Sequence, residues 1–270
     1  MSWDRQINIK SPQELAVMRE AGRINAEALA AVAAAIAPGI STGELNEIAE
    51  SVLKEYGAFS PFKHYPGAYP YPASICTSIN EELVHGIPGN RKLKNGDIIS
   101  VDCGTVFDGY VGDAAFTMGV GEITKESKKL LEVTEKALFA GINKMKPGNF
   151  LGDVSAAVQN VVESHNLHVT REYTGHGVGR RMHEGPQVPN YGTPGKGMLL
   201  KAGMTIALEP MVLIGTNQTK VTPDEWTVVS LNGMNTAHFE HSVAITETGP
   251  VILTVLADGK NPWDVAGQSK

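Results

Sequence analysis

The run YTGHGVGRRMHEGPQVPNY, residues 173–191, carries two histidines, His176 and His183, in a glycine-dense setting. Gly175, Gly177 and Gly179 flank His176, and glycine lets backbone approach a ligand closely. An ordinary helix is excluded, because each glycine costs about 1 kcal/mol there. The segment reads as a loop or strand end presenting an imidazole. The competing reading is a glycine-rich turn with a structural histidine.

Three acidic segments supply partners for it. Asp102 ends an apolar run containing Ile98, Ile99 and Val101. Asp113 follows eleven residues later, past Asp108-Gly109, a hairpin turn signal. The hairpin is expected to set the two acids side by side on neighbouring strands. Glu209 closes the β-rich run MTIALEPMV near its end, and Glu240 opens a strand-like run in HFEHSVAIT. Buried carboxylates need a compensating charge. No Arg or Lys is interleaved in these runs, so bound cations are the cheaper solution.

Four carboxylates and one imidazole form a hard, oxygen-rich donor set, unlike the thiolate set of a structural zinc site. Four negative charges balance two divalent ions. Such a pair, about 3.5–4 Å apart, can lower the pKa of a water and clamp an attacked carbonyl. The donor set leaves Mn, Fe, Co and Zn open.

In this order, Asp102, Asp113, His176, Glu209 and Glu240 resemble the five metal ligands of the methionine aminopeptidases. The 173–191 run resembles the histidine signature of the type I branch, and His85 in VHGIP matches a further family motif. The likeness covers roughly residues 10–250. Glu209 and Glu240 are 31 residues apart (240 − 209), which leaves no room for the helical insertion of the type II enzymes. The resemblance implies a cofactor of two divalent metal ions. Asp113 and Glu240 would bridge them, Asp102 would chelate one, and His176 and Glu209 would bind the other. Glu209 would also shuttle a proton, His183 would donate to the attacked carbonyl or its oxyanion, and His85 would contact the scissile nitrogen or the next residue. Tyr71, Cys76, Met182, Met211 and Trp226 would line the methionine pocket, with Tyr69 an alternative to Tyr71. Phenylalanine is common in the family where Met182 stands here. Each of these five is also explicable as generic core, and Trp226 as a surface residue of the TPDEWT loop.

The elements that position these residues form a repeat. PGISTGELNEIAESVLKEYG (38–57) aligns with PGNFLGDVSAAVQNVVESHN (147–166), an offset of 109. LKNGDIISVD (93–102) aligns with LKAGMTIALE (200–209), an offset of 107, which places Asp102 and Glu209 in equivalent positions. VHGIP (84–88) has a weaker echo in MHEGP (182–186). Each half reads as helix, helix, then strands, with Leu45, Ile48, Ala49, Val52 and Leu53 at helical spacing. The first helix starts with a capping box at Ser11-Pro-Gln-Glu14 and is expected to reach Ala37, stopped by Pro38-Gly39. No linker separates the halves. The expectation is α+β, one catalytic domain over 1–270 with pseudo-symmetric halves of roughly 10–125 and 126–250. A curved, mainly antiparallel sheet would be shared, with helices outside, which is the pita-bread fold the resemblance implies. The tail NPWDVAGQSK reads as frayed or lightly docked.

Hydrophobic content of 42% is ample for a core, and a net charge of −6 gives no basic patch for nucleic acid or an anionic membrane. Two cysteines, Cys76 and Cys103, read as free thiols of a reducing compartment. The start MSWDRQINIKS is no signal peptide, and no run suits a membrane span. A cytoplasmic, monomeric, bacterial-type enzyme is expected. The resemblance implies that it removes the initiator methionine from nascent polypeptide N-termini near the ribosome, favouring a small second residue. The alternatives are an aminopeptidase P or prolidase relative, and a same-fold binding protein without metals. The first usually carries an extra N-terminal domain; the second loses ligands.

Overall fold

In the computed structural model, residues 7–264 are described. Helix α1 (Pro12–Ala35) opens as expected: the Ser11 and Glu14 side chains cap each other's backbone N–H groups. It ends two residues short of Ala37. The chain is already extended at Ile36, ahead of Pro38, whose ring disfavours helix at the residue before it. Helix α2 (Thr42–Glu55) repeats the device with Ser41 and Glu44 and buries Leu45, Ala49 and Leu53. Helices α3 (Lys125–Ile142) and α4 (Leu151–Glu163) are their second-half counterparts. At α4, Asp153 accepts from the Phe150 N–H at 2.7 Å, in the place Glu44 holds in the first half.

The strands are β1 (Ile75–Ile79), β2 (Glu82–Val84), β3 (Ile98–Phe107), β4 (Tyr110–Gly119), β5 (Leu167–Val169), β6 (Gly175–Gly177) and β7 (Glu184–Val188). Then come β8 (Thr205–Leu208), β9 (Met211–Ile214), β10 (Thr219–Val221), β11 (Val228–Ser230), β12 (Thr236–His238), β13 (Glu240–Thr246) and β14 (Gly249–Ile252). The main sheet runs β1-β3-β4-β13-β8-β6-β7, with β14 on β13. Its order is symmetric about the β4–β13 junction: β1, β3 and β4 mirror β6, β8 and β13. It curls as an antiparallel half-barrel with the four helices outside. The core between sheet and helices holds Ile24, Leu29, Leu45, Ile99, Phe116, Leu130, Val158 and Leu208.

Asp108 and Gly109 both take positive φ, 47° and 74°, the geometry of a tight hairpin turn between β3 and β4. The hairpin puts Asp102 opposite Ala115 and Asp113 opposite Gly104. The two acids therefore share a face as diagonal neighbours rather than facing each other directly. The tail docks through Trp263, which stacks on His241 and donates to Glu135 at 2.7 Å. Residues 265–270 of the tail lie outside the described residues.

Candidate metal centre

Strand β6 carries His176. It is a short paired strand with a bulge at His176/Gly177, not a free loop. Its glycines answer to close packing: a Cβ on Gly177 would lie 2.0 Å from the Gly185 carbonyl oxygen. His176 Nδ1 lies 3.0 Å from the Gly177 carbonyl, which fixes the proton there and turns the Nε2 lone pair inward. That Nε2 lies 3.5 Å from Asp113 Oδ2 and 3.5 Å from Glu209 Oε1.

Strands of both halves deliver the carboxylates to the same place. Asp113 comes from β4 and Glu240 from β13, at the junction of the halves. Asp102 comes from β3, and Glu209 follows the end of β8. Among the described residues, no Lys or Arg forms an ion pair with any of the four. Asp102 Oδ1, Asp113 Oδ1 and Glu240 Oε1 are buried with no hydrogen-bond partner. Burial lifts the Asp102 carboxyl to about 8. Burial and then mutual repulsion push Asp113, Glu209 and Glu240 well above the usual carboxylate range. Orphaned acceptors crowded together without a cation are what a metal site looks like to its own side chains. The donor set fits divalent metal: Asp113, His176 and Glu240 can converge on one ion, and Glu209, His238 and Glu240 on another.

These residues floor a cavity of about 860 Å³. All twelve residues that the sequence singled out line it, including His85, His183, Tyr71, Cys76, Met182, Met211 and Trp226. Tyr71 is buried, and its hydroxyl donates to the carbonyls of Ile75 and Gly86. Tyr69 is 38% exposed, off the cavity, with its hydroxyl on the Asp224 carbonyl. The Trp226 indole turns inward, edge-on to Tyr71 and His85, and its buried Nε1 has no hydrogen-bond partner. Met182 packs against the cluster of Phe62, Tyr71, Ala73 and Cys76.

His85 sits at positive φ, 61°, just past β2. His183 lies with its ring centroid 4.4 Å from that of His176, and its Nδ1 is 2.7 Å from the Tyr65 hydroxyl. Burial depresses both rings, His85 to about 4 and His183 to about 3; nearby His176 and His85 add to the effect on His183. Both are neutral at pH 7.

Three contributors escaped sequence reasoning. His238 reaches the floor, and Tyr65 holds His183. Lys10 forms a buried ion pair with Glu184, 2.7 Å, beside His183. Glu184 also accepts from the Arg180 and Arg181 N–H groups, so the pair anchors the 180–184 turn. For His238 a signal existed: His238 and Glu240 alternate across Phe239, which places both on one strand face. Lys10 and Glu184 are 174 residues apart in the chain, with no local pattern to join them.

Comparison with known proteins agrees with this geometry. Residues 16–247 match the model of metallopeptidase family M24. A methionine aminopeptidase 1 of Bacillus subtilis is 54% identical over 245 residues, 91% of this chain and 98% of the relative. The crystal structure of methionine aminopeptidase from Thermotoga maritima matches with a TM-score of 0.90 at 46% identity, over 93% of this chain and 100% of that one. This chain belongs to the methionine aminopeptidases of family M24. A prolidase of Pyrococcus horikoshii shares the fold, TM-score 0.72, at 22% identity, and the match spans 63% of its length. Between Glu209 and Glu240 this chain holds only β9 to β12, with no helix.

Proposed function

We propose that this chain is a methionyl aminopeptidase that removes the initiator methionine from nascent proteins and peptides, favouring a small second residue. One observation carries the reading: an orphaned carboxylate–imidazole floor and a sulfur- and aromatic-rich wall face the same cavity. Two divalent ions of Co, Mn, Fe or Zn, when bound, would activate water and polarise the peptide carbonyl. Asp113 and Glu240 would hold both ions, Asp102 one, and His176 with Glu209 the other. Glu209, partly open to the cavity where Asp113 and Glu240 are buried, would carry the proton from water to the leaving amine.

With Tyr65 donating to Nδ1, His183 keeps its proton on Nε2 and donates it to the carbonyl oxygen as charge develops. His85 would meet the scissile nitrogen or the residue after it. Tyr71, Cys76, Met182, Met211 and Trp226 would surround the methionine side chain, whose thioether favours aromatic edges. We infer a single catalytic domain working as a monomer in the cytoplasm, close to the ribosome where its substrates emerge. No helix among the described residues is long and apolar enough to cross a membrane.

The test is hydrolysis of Met-Ala-Ser against Ala-Pro-Ala, after EDTA and after adding back divalent metal. Metal-restored cleavage of the first alone supports this reading. Cleavage of the second makes the chain prolidase-like, and cleavage of neither makes it a binding protein.

A further inference from the structure

We propose that His238 is a sixth donor of the metal centre, ligating through Nε2 the ion that Glu209 and Glu240 hold. The inference rests on the metal-dependent reading above. His238 Nε2 is buried and has no hydrogen-bond partner. It lies 3.7 Å from Glu209 Oε2 and 3.7 Å from Glu240 Oε2. Those separations exceed a hydrogen bond, which needs about 2.7–3.2 Å. They approach the roughly 3–3.4 Å between donor atoms that share one ion at about 2.1 Å each. His176, from the other side, shows the same relation: its Nε2 is 3.5 Å from each of two carboxylates and turned inward. His176 and His238 thus both reach Glu209, the donor of the ion in question, and Glu240 belongs to both three-residue clusters.

The backbone holds the ring in place. Phe239 enters the core, so His238 and Glu240 face the cavity together. The Thr117 hydroxyl donates to the His238 carbonyl at 2.9 Å and accepts from its N–H at 2.8 Å. Thr117 is itself tied to Ser100 at 2.8 Å. A histidine serving only as core would not need a clasped peptide and an inward, unpartnered nitrogen between two acids.

The experiment uses metal-stripped protein labelled with ¹⁵N-histidine and titrated with Zn²⁺, read by NMR and calorimetry. The His176 and His238 Nε2 resonances of the unaltered chain are expected to move together to the shift of ligated imidazole. His238→Leu should weaken one of two zinc affinities by about 10–100-fold and leave the other in place. If zinc binds and moves His176 while His238 Nε2 stays put, and His238→Leu keeps both affinities, the inference is overturned and the metal reading stands. If the unaltered chain takes up no zinc, the metal reading itself falls, and this inference with it.

Discussion

The N-terminal half brings Asp102, Asp113 and His85 to the cavity, and the C-terminal half brings His176, His183, Glu209, His238 and Glu240. Strand register shows which of these are symmetry mates. Asp102 and Glu209 are related by the offset of 107. His176 pairs with Ala207, and Ser78 pairs with Ser100, 107 residues earlier than Ala207, so Ser78 stands in the first half where His176 stands in the second. That is an offset of 98 (176 − 78), which also relates His85 to His183. At the junction Glu240 faces Ala115, its own counterpart, and the Ser242 hydroxyl binds the Asp113 backbone. The scaffold is twofold; the chemistry is not. Both halves keep one acid at equivalent positions, Asp102 and Glu209, and one histidine at the 98-residue offset, but the imidazoles of the floor come only from the second half. A duplicated scaffold supplies two matched walls, and different residues near the axis make the two donor clusters different.

The largest test of that asymmetry is at the axis. Asp113→Asn should abolish activity while the protein stays folded, because a neutral amide cannot balance charge shared by two cations. Activity within about tenfold of wild type, with metal replete, would remove Asp113 from the ligand set. Ser242→Ala, at the residue whose hydroxyl meets the Asp113 backbone across the junction, should retain most activity.

Next come the symmetry-related histidines. His183→Ala should keep metal content and lower kcat by roughly 10²–10³, the loss of one oxyanion donor. Loss of metal stoichiometry would instead make His183 a ligand. Lys10→Met strands the buried Glu184 carboxylate under the His183 turn. Breaking a buried pair in this way should lower unfolding free energy by about 3 kcal/mol, measured by urea denaturation. No loss of stability would show that the pair does not anchor the turn.

A pH experiment separates the acids from the imidazoles. In chelated protein Asp102 titrates near 8, against an ordinary value of 3.8, so its contribution to stability is lost as pH rises through 8. The buried histidines, depressed to about 3 or 4, act the other way, but only as pH falls below 6.5. Between about pH 6.5 and 8 the Tm of chelated protein should therefore fall with rising pH, and saturating metal should remove that slope. A Tm rising across this window without metal would contradict the crowding of acids on the floor. The smallest effect is in the wall: Trp226→Ala should narrow the preference for Met-Ala-Ser over Leu-Ala-Ser in kcat/KM. A sulfur–aromatic contact is worth about 0.3–1.5 kcal/mol, so the change is at most about tenfold. An unchanged ratio with normal metal content would take the indole out of the pocket.

The sequence alone determined the repeat, the start of the first helix, the β3–β4 turn, and the residues that converge on the cavity. Those are signals of spacing and residue type: a capping box, Asp-Gly between apolar runs, and acids in apolar strand-like runs with no interleaved cation. That Asp102 and Asp113 lie inside β3 and β4 rather than at strand ends came from the structure. It left open whether Tyr69 or Tyr71 faces the cavity, because both lie in the same stretch of tyrosine, proline and glycine with no periodicity. Only the tertiary structure decided that, along with the diagonal placement of Asp102 and Asp113, the Lys10–Glu184 anchor, the Tyr65 contact to His183 and the arrival of His238. Each depends on register, or on contact between segments far apart in the chain. A residue's type limits what it can bind; which neighbours it meets is settled when the two halves pair along β4 and β13.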